Sequence, residues 1–422
     1  MEKALLSQPQ EGRAIYARAG QLISEGRLVD AMRWYRRARM SVPLAEFPWA
    51  RESWLNWRLN RKTEAIRAAR RSILLAPGFG SALSNLGIAH KRWGTDMEAG
   101  RHFSRALCCE PSSQAIGMNQ AVLQLRDGNF ERGWTFYRNR YIKLGAIPST
   151  IWPELPEWTG EPLAGRLRII SEQGIGDAIM FLTLMSEVLK RAPCVTLLVA
   201  PRLKKLMQRS FPSVEVVAPA DGELPPLPPA ERWICSGDLP GALGLFIDRD
   251  IQPSPFLKPD LEQQDRLRAH LKVRAGGRKL VGVTWTSKAE DGWQREIAPE
   301  TWQALRARED LALVSLQYDL TDTDVAKFSG DLIWDHGVEP RRDLDGFASL
   351  IAALDCVVSP VNNTMHFAGA PDVPCHTLIP IDPDWRWGQE GKESRWYKRM
   401  RLYRQSSVQG WPQVIDQVNS TL

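Results

Sequence analysis

A fixed interval of 34 residues constrains this chain more than any other feature. Gly26, Asn60, Gly94 and Gly128 stand that far apart, the same spacing links Ala31, Ala65, Ala99 and Gly133, and Pro43, Pro77 and Pro111 follow it too. A period of this length marks a helix-turn-helix unit that cannot bury its apolar face alone, so successive units must stack into a solenoid. The third unit carries the pattern most fully, with Leu86, Gly87, Gly94, Ala99, Phe103, Ala106 and Pro111. Each position has a packing reason. Gly94 is expected to take the left-handed turn between the two helices, Ala99 to let them approach, and Phe103 to fill the space between units.

These residue types at this period are the tetratricopeptide signature, and four units are expected over residues 12–145. Such an array serves either as a spacer or dimerisation surface, or as a groove for an extended peptide. A helical-repeat RNA reader fits less well, because no one face is consistently basic.

With 43% hydrophobic and 25% charged residues, the chain has a globular composition, which argues against wholesale disorder, collagen and a long coiled coil. No apolar run approaches a membrane span, and the start (Met1-Glu2-Lys3) does not read as a signal peptide, so a cytoplasmic protein is expected. The net charge of +6 suits an anionic small ligand as well as nucleic acid. Six cysteines (Cys108, Cys109, Cys194, Cys235, Cys356 and Cys375) form no C-x-x-C pair, which predicts reduced, buried thiols rather than a zinc site or disulfides.

After the repeats, the proline-rich stretch 146–165 reads as a linker. Strands are then predicted at Leu167–Ser171, Val195–Val199 and Val214–Val217, with one helix over Ala178–Arg191. Beyond a second proline-marked boundary (Pro253, Pro255, Pro259), strands are predicted at Leu280–Thr284, Leu311–Leu316, Cys356–Ser359 and Thr377–Ile379, with a helix over Asp345–Leu354. The expected organisation is a repeat domain over 1–145, the linker 146–165, and two Rossmann-like α/β halves over 166–258 and 259–422. Two such sheets in tandem place a ligand between them, at the carboxyl ends of the strands.

Four loops fall where predicted strands end. In Gln173-Gly174-Ile175-Gly176-Asp177 the glycines permit close backbone approach, and Asp177 is either a helix cap or a reactive carboxylate. Thr284–Lys288, followed by Arg295, offers hydroxyls and cations suited to phosphate oxygens. Asn362, Asn363, Thr364 and His366 open a short helix whose free N–H groups suit an anion, with His366 otherwise a satisfied buried histidine. Asp384-Trp385-Arg386-Trp387 frames an arginine between two indoles, for plain packing or for a specific salt bridge. Two D-x-D strings, Asp248/Asp250 and Asp322/Asp324, are read as caps or solvated acids rather than metal ligands.

Together these segments resemble bacterial glycosyltransferases in which tetratricopeptide units precede a GT-B catalytic region, related to heptosyltransferases, protein O-GlcNAc transferase and flagellin glycosyltransferases. The resemblance runs from Gly128–Trp134 to Trp411. Its most specific parts are Ser171–Asp177, Ser315-Leu316-Gln317-Tyr318, Asp343–Phe347 with Ala352–Asp355, Asp384–Gly388, Trp396-Tyr397 and Arg401–Gln405. It implies a GT-B arrangement and a nucleotide sugar bound in the second half around Lys288, Arg295, Gln317 and the Asn362–His366 loop, with Asp177 as base on the acceptor side. The chain departs from these relatives at Val361, Glu296 and Ala370-Pro371-Asp372. The leading expectation is a metal-independent, inverting transferase with no cofactor beyond its nucleotide-sugar co-substrate, acting on a protein acceptor such as flagellin. Arg295, Lys288 and the helix start near Thr364 would stabilise the leaving phosphate. The alternative is a GT-B scaffold without chemistry that binds a protein partner. Nucleic-acid binding ranks third.

Overall fold

A computed structural model describes residues 10–140, 155–220, 223–287, 295–328, 332–407 and 409–422. The chain divides into two compact units, Met1–Ile142 and Lys143–Leu422.

The first unit is built from helix pairs at the expected spacing: α1 (Gln10–Ser24) with α2 (Leu28–Ser41), α3 (Glu46–Arg58) with α4 (Lys62–Leu75), α5 (Gly80–Trp93) with α6 (Asp96–Cys109), and α7 (Gln114–Arg126) with α8 (Phe130–Tyr137). The small-residue positions do what their size permits. Ala31, Ala65 and Ala99 are fully buried, and at Gly133 the Leu125 side chain occupies the space a Cβ would need. Gly26, Asn60 and Gly128 turn through positive φ between the helices of their pairs. Gly94 does not. Its φ of −118° and ψ of −130° correct the expected left-handed turn, and His90 and Glu98 crowd the place of its missing side chain. Phe103 packs with Ala99 and with Leu123 of the next unit, joining neighbours as expected. Cys108 and Cys109 correct the expectation of buried thiols: both end α6 on exposed positions, and Cys194 is only half-buried, whereas Cys235, Cys356 and Cys375 are buried.

The second unit holds two wholly parallel sheets. The four-stranded sheet has the order β3-β2-β1-β4, from β1 (Arg166–Ile170), β2 (Cys194–Leu198), β3 (Glu215–Val217) and β4 (Arg232–Cys235). The six-stranded sheet has the order β10-β9-β8-β5-β6-β7, from β5 (Lys279–Val283), β6 (Leu311–Ser315), β7 (Leu332–Ile333), β8 (Cys356–Pro360), β9 (Cys375–Ile379) and β10 (Met400–Arg404). Each order reverses beside its first strand, between β1 and β4 and between β5 and β8, as in doubly wound nucleotide-binding folds. These strands read as nearly continuous apolar runs because parallel sheets are covered on both faces. On the larger sheet, Trp411, Val414, Ile415 and Val418 of the last helix join one cluster with Val281, Leu313 and Val358.

Three strands lay outside the sequence expectation. β4 is short and follows the proline-dense loop, β7 has two residues, and β10 carries two arginines among its five residues at the sheet edge. The helix expected over Ala178–Arg191 is two, α9 (Ile175–Leu182) and α10 (Met185–Arg191). It breaks at Thr183, whose carbonyl accepts the Ser254 N–H. Of the stretch read as linker, 146–154 lie outside the described residues. The remainder packs onto the first sheet: Trp158 is buried, its N–H bonds the Trp233 carbonyl at 2.8 Å, and Leu163 N–H bonds the Arg191 carbonyl at 2.8 Å.

The two sheets are joined around the second proline boundary. Phe211 stacks on Phe256 with ring centroids 4.9 Å apart, and Phe256 and Leu257 donate their N–H groups to the Ala370 carbonyl. Asp345, at the start of α12 (Leu344–Ala352), receives Arg209 and Lys205 from α11 (Lys204–Ser210).

The repeat packing predicts a specific weakness. A Cβ at Gly87 would stand 2.6 Å from the fully buried Phe103 ring. Gly87→Ala is therefore expected to destabilise the repeats by about 1–2 kcal/mol net, since overpacking outweighs the gain in helix propensity. Urea unfolding followed by circular dichroism checks this.

Candidate active site

The site lies where the two switch points face each other. After β1 the chain turns through Gln173, whose φ of +67° puts a non-glycine residue in the left-handed region, and enters α9 at Gly174. Asp177 occupies the third position of that helix, and its Oδ2 accepts the Gly174 N–H at 3.3 Å. Its Oδ1 meets the Arg386 guanidinium of the other half. Arg386 also donates to Asp384 Oδ1 through Nη1 at 2.8 Å and through its own backbone N–H at 3.0 Å, and it lies over the Trp385 ring at 4.5 Å. The flanking indoles, Trp385 and Trp387, are both buried. Packing and a specific ion pair thus coexist there.

Gly176 makes this approach possible. A Cβ on it would lie 2.7 Å from both Asn363 Oδ1 and the His366 ring, on the helix Asn363–Gly369 (α13) that follows β8. The close approach expected of the glycine loop is therefore to the opposite half. At Gly174, where φ is ordinary, an added Cβ would stand 3.3 Å from the Asp177 carboxylate. Glu172, buried behind the loop, accepts the Gly237 N–H at 2.9 Å.

The second-half loops are held by their own polar groups. Asn362 Oδ1 accepts the Thr364 N–H at 2.9 Å as helix cap, while its Nδ2 donates to Thr284 Oγ1 at 3.0 Å and to the Thr286 carbonyl at 3.2 Å. Gln317 Oε1 accepts the Trp285 and Thr286 N–H groups at 3.2 and 3.3 Å. Asn362 ties the loop after β8 to the loop after β5, and Gln317 ties the loop after β6 to the same segment. Arg295 donates to the Val361 carbonyl at 3.2 Å, and its charge reaches Asp384. Lys288 lies outside the described residues. Both D-x-D strings serve the local backbone: Asp248 accepts the Asp250 N–H, and Asp324 forms a capping box with Thr321.

Charge here is finely divided. Burial pushes the Asp384 carboxyl upward, but the charge and hydrogen bonds of Arg386 outweigh it and hold the group below the ordinary range. His366 is buried, and its Nδ1 lies 2.7 Å from the Tyr397 hydroxyl. Burial brings its pKa down to about 3, so it stands neutral beside the Asp177–Arg386 pair. Burial also drives Tyr397 well above its usual value. The sequence reading missed Tyr397 and Glu172 as partners, because nothing local in the chain links them to the residues they meet. Among the described residues, no group of three or more His, Cys, Asp or Glu stands where it could hold a metal ion, and no helix is long and apolar enough to cross a membrane.

No family model matches the chain. Protein FlbA of Caulobacter vibrioides is 29% identical over 377 residues, covering 83% of this chain. The chain spans 62% of that relative's length. Among solved structures, a family 9 glycosyl transferase from Veillonella parvula aligns over 61% of this chain and 96% of its own, at 11% identity and a TM-score of 0.44. PilW, a type IV pilus biogenesis factor, aligns over 33% of this chain and 66% of its own, at 17% identity and a TM-score of 0.30. Likenesses this partial leave the reading of the site to its own geometry.

The buried histidine has a measurable consequence. Below about pH 6.5 the unfolded chain takes up a proton that folded His366 refuses until about pH 3, so stability is complete above that window and falls as pH drops through it. Urea unfolding at pH 7 and pH 5 should show the loss. His366→Gln should reduce the slope by about 1.4 kcal/mol per pH unit.

Proposed function

We propose that the unit Lys143–Leu422 is a glycosyltransferase of GT-B arrangement that moves a sugar from a nucleotide-sugar donor to a hydroxyl of a protein acceptor, without metal and with inversion. The observation that carries this reading is the convergence of Asp177, from the first half, with Arg386 and Asp384, from the second, beside the Arg295 loop at the facing switch points. The acceptor oxygen attacks the anomeric carbon and gives its proton to Asp177. The bond from that carbon to the donor phosphate breaks, and its electron pair leaves on the phosphate oxygen, where Arg295 and Lys288 stabilise the charge. One displacement inverts the anomeric centre. In the free chain Arg386 neutralises Asp177, so donor phosphate that draws Arg386 away would release the base when a donor is present. Gln317 and Asn362 hold the loops that frame the donor. The acceptor is presented by the repeats, for which flagellin is the precedent among the resembling enzymes, and the reaction takes place in the cytoplasm.

The second reading is a scaffold without chemistry. It is favoured by the same ion pair, because a carboxylate capped by Gly174 and paired with Arg386 is also a sound structural tie between the halves.

A panel of nucleotide sugars labelled in the sugar, incubated with the full chain and with water or flagellin as acceptor, separates the two. Asp177→Asn should lower transfer by about 10²–10⁴-fold with donor affinity retained. Arg295→Ala should cost about 2–4 kcal/mol of transition-state stabilisation at an unchanged melting temperature. Chelation should leave the rate unaltered. No turnover with any donor, together with tight binding of a protein partner, would establish the scaffold.

A further inference from the structure

The first three repeat units carry one outward pattern. In the 34-residue register Arg33, Arg67 and Arg101 coincide, and so do Arg37, Arg71 and Arg105. Each pair lies four residues apart on the second helix of its unit, α2, α4 or α6, and so shares one face of that helix. Three residues further along the same face stand Met40, Leu74 and Cys108. All of these side chains are exposed, Met40 and Leu74 to 81% and 74%. Stacking of the units sets equivalent positions side by side. Arg67, Arg71 and Leu74 line one open depression, and Arg36 joins Arg67 and Arg71 around another, so the first and second units contribute to a common surface. This corrects the expectation that no one face of the repeats is consistently basic. The rows end in the fourth unit, where Thr135 and Asn139 take the arginine places.

Pairing within the fold does not account for these arginines. Asp30 pairs with Arg33 at 3.1 Å. Glu64 and Glu98 hold the equivalent places before Arg67 and Arg101, yet neither pairs with its arginine among the described residues, and Glu98 meets His90 instead at 3.2 Å. Burial does not account for the apolar row either, since its methionine and leucine stand in water.

We propose that this face of the repeats lies on an anionic lipid bilayer, with the two arginine rows on the headgroup phosphates and the row of Met40, Leu74 and Cys108 at the acyl boundary. The combination decides the class of partner. Cations beside exposed apolar side chains match a surface that is negative outside and apolar beneath. A nucleic acid would meet the arginines but leave Met40 and Leu74 in water, and none of these positions holds an aromatic ring on which a base could stack. A folded acidic partner presents a different group at each contact, whereas a bilayer offers the same two layers to each of three equivalent units. The helices lie on the surface, because among the described residues none is long and apolar enough to cross it. The face is built from the repeats alone, so the proposal stands apart from glycosyl transfer.

Co-sedimentation of the full chain with vesicles of phosphatidylcholine, alone or mixed with phosphatidylglycerol, tests the proposal. Binding is expected to the mixed vesicles only, and it should weaken as salt is raised. Arg67→Gln/Arg71→Gln should weaken it by about tenfold or more. Met40→Ser/Leu74→Ser should weaken it by about fivefold or more, which charge alone would not produce. Melting temperatures should be unchanged, since all four side chains are exposed. Lys392→Gln/Lys398→Gln removes the same charge from exposed positions of the α/β unit and should leave binding intact. No binding to mixed vesicles, equal binding to both vesicle types, undiminished affinity in either repeat variant, or an equal loss in the lysine variant overturns the proposal. So does tighter binding of an oligonucleotide or of polyglutamate, which would make the face a nucleic-acid or a protein surface.

Discussion

The absence of a side chain at Gly176 governs the geometry of the α/β unit. Any Cβ there would collide with Asn363 and His366, so only glycine lets the helix after β1 close on the helix after β8. That contact brings the first turn of one half against the first turn of the other and sets Asp177 within reach of Arg386. Aromatic packing fixes the far side of the same junction. Phe181 and Phe246 meet Trp396 edge-on at 5.9 and 5.3 Å, and Trp385 meets it at 6.2 Å. The arginine is therefore carried on a turn held by aromatic packing.

Electrostatics at this junction follows from burial. His366 is kept neutral, so the charged groups facing one another are Asp177, Arg386 and Asp384, with Arg295 acting from the neighbouring loop. Two carboxylates around one arginine leave that arginine shared. The same arrangement accounts for the scaffold reading, since an ion pair between halves is structural until a ligand competes for it.

The repeats obey a different constraint. Where small residues hold the 34-residue register, as at Ala31, Ala65 and Ala99, helices close completely. In the second unit, where Glu52 stands for Leu86 and Ala69 for Phe103, a pocket opens.

Much of this was legible in the chain. The repeat period follows from composition at fixed spacing, because each unit must solve the same packing problem, and the longer buried strands announce themselves as apolar runs. Local reading failed where the cause was non-local. Gly94 has the residue of a left-handed turn without its conformation, and the helix through Thr183 breaks because Ser254, far along the chain, takes its carbonyl. β10 hides its edge position among arginines. Asn362 stood out as a polar residue after a strand and Gln317 only through the family resemblance, yet only their partners reveal that they bind neighbouring loops to each other. The sequence by itself determined the repeats, the parallel α/β character of the remainder and the loops that carry polar chemistry, since these depend on neighbours in the chain. The pairing of Asp177 with Arg386, 209 residues away, was decided only by the tertiary structure, because closing two sheets on one glycine is a property of surfaces brought together and not of any segment alone.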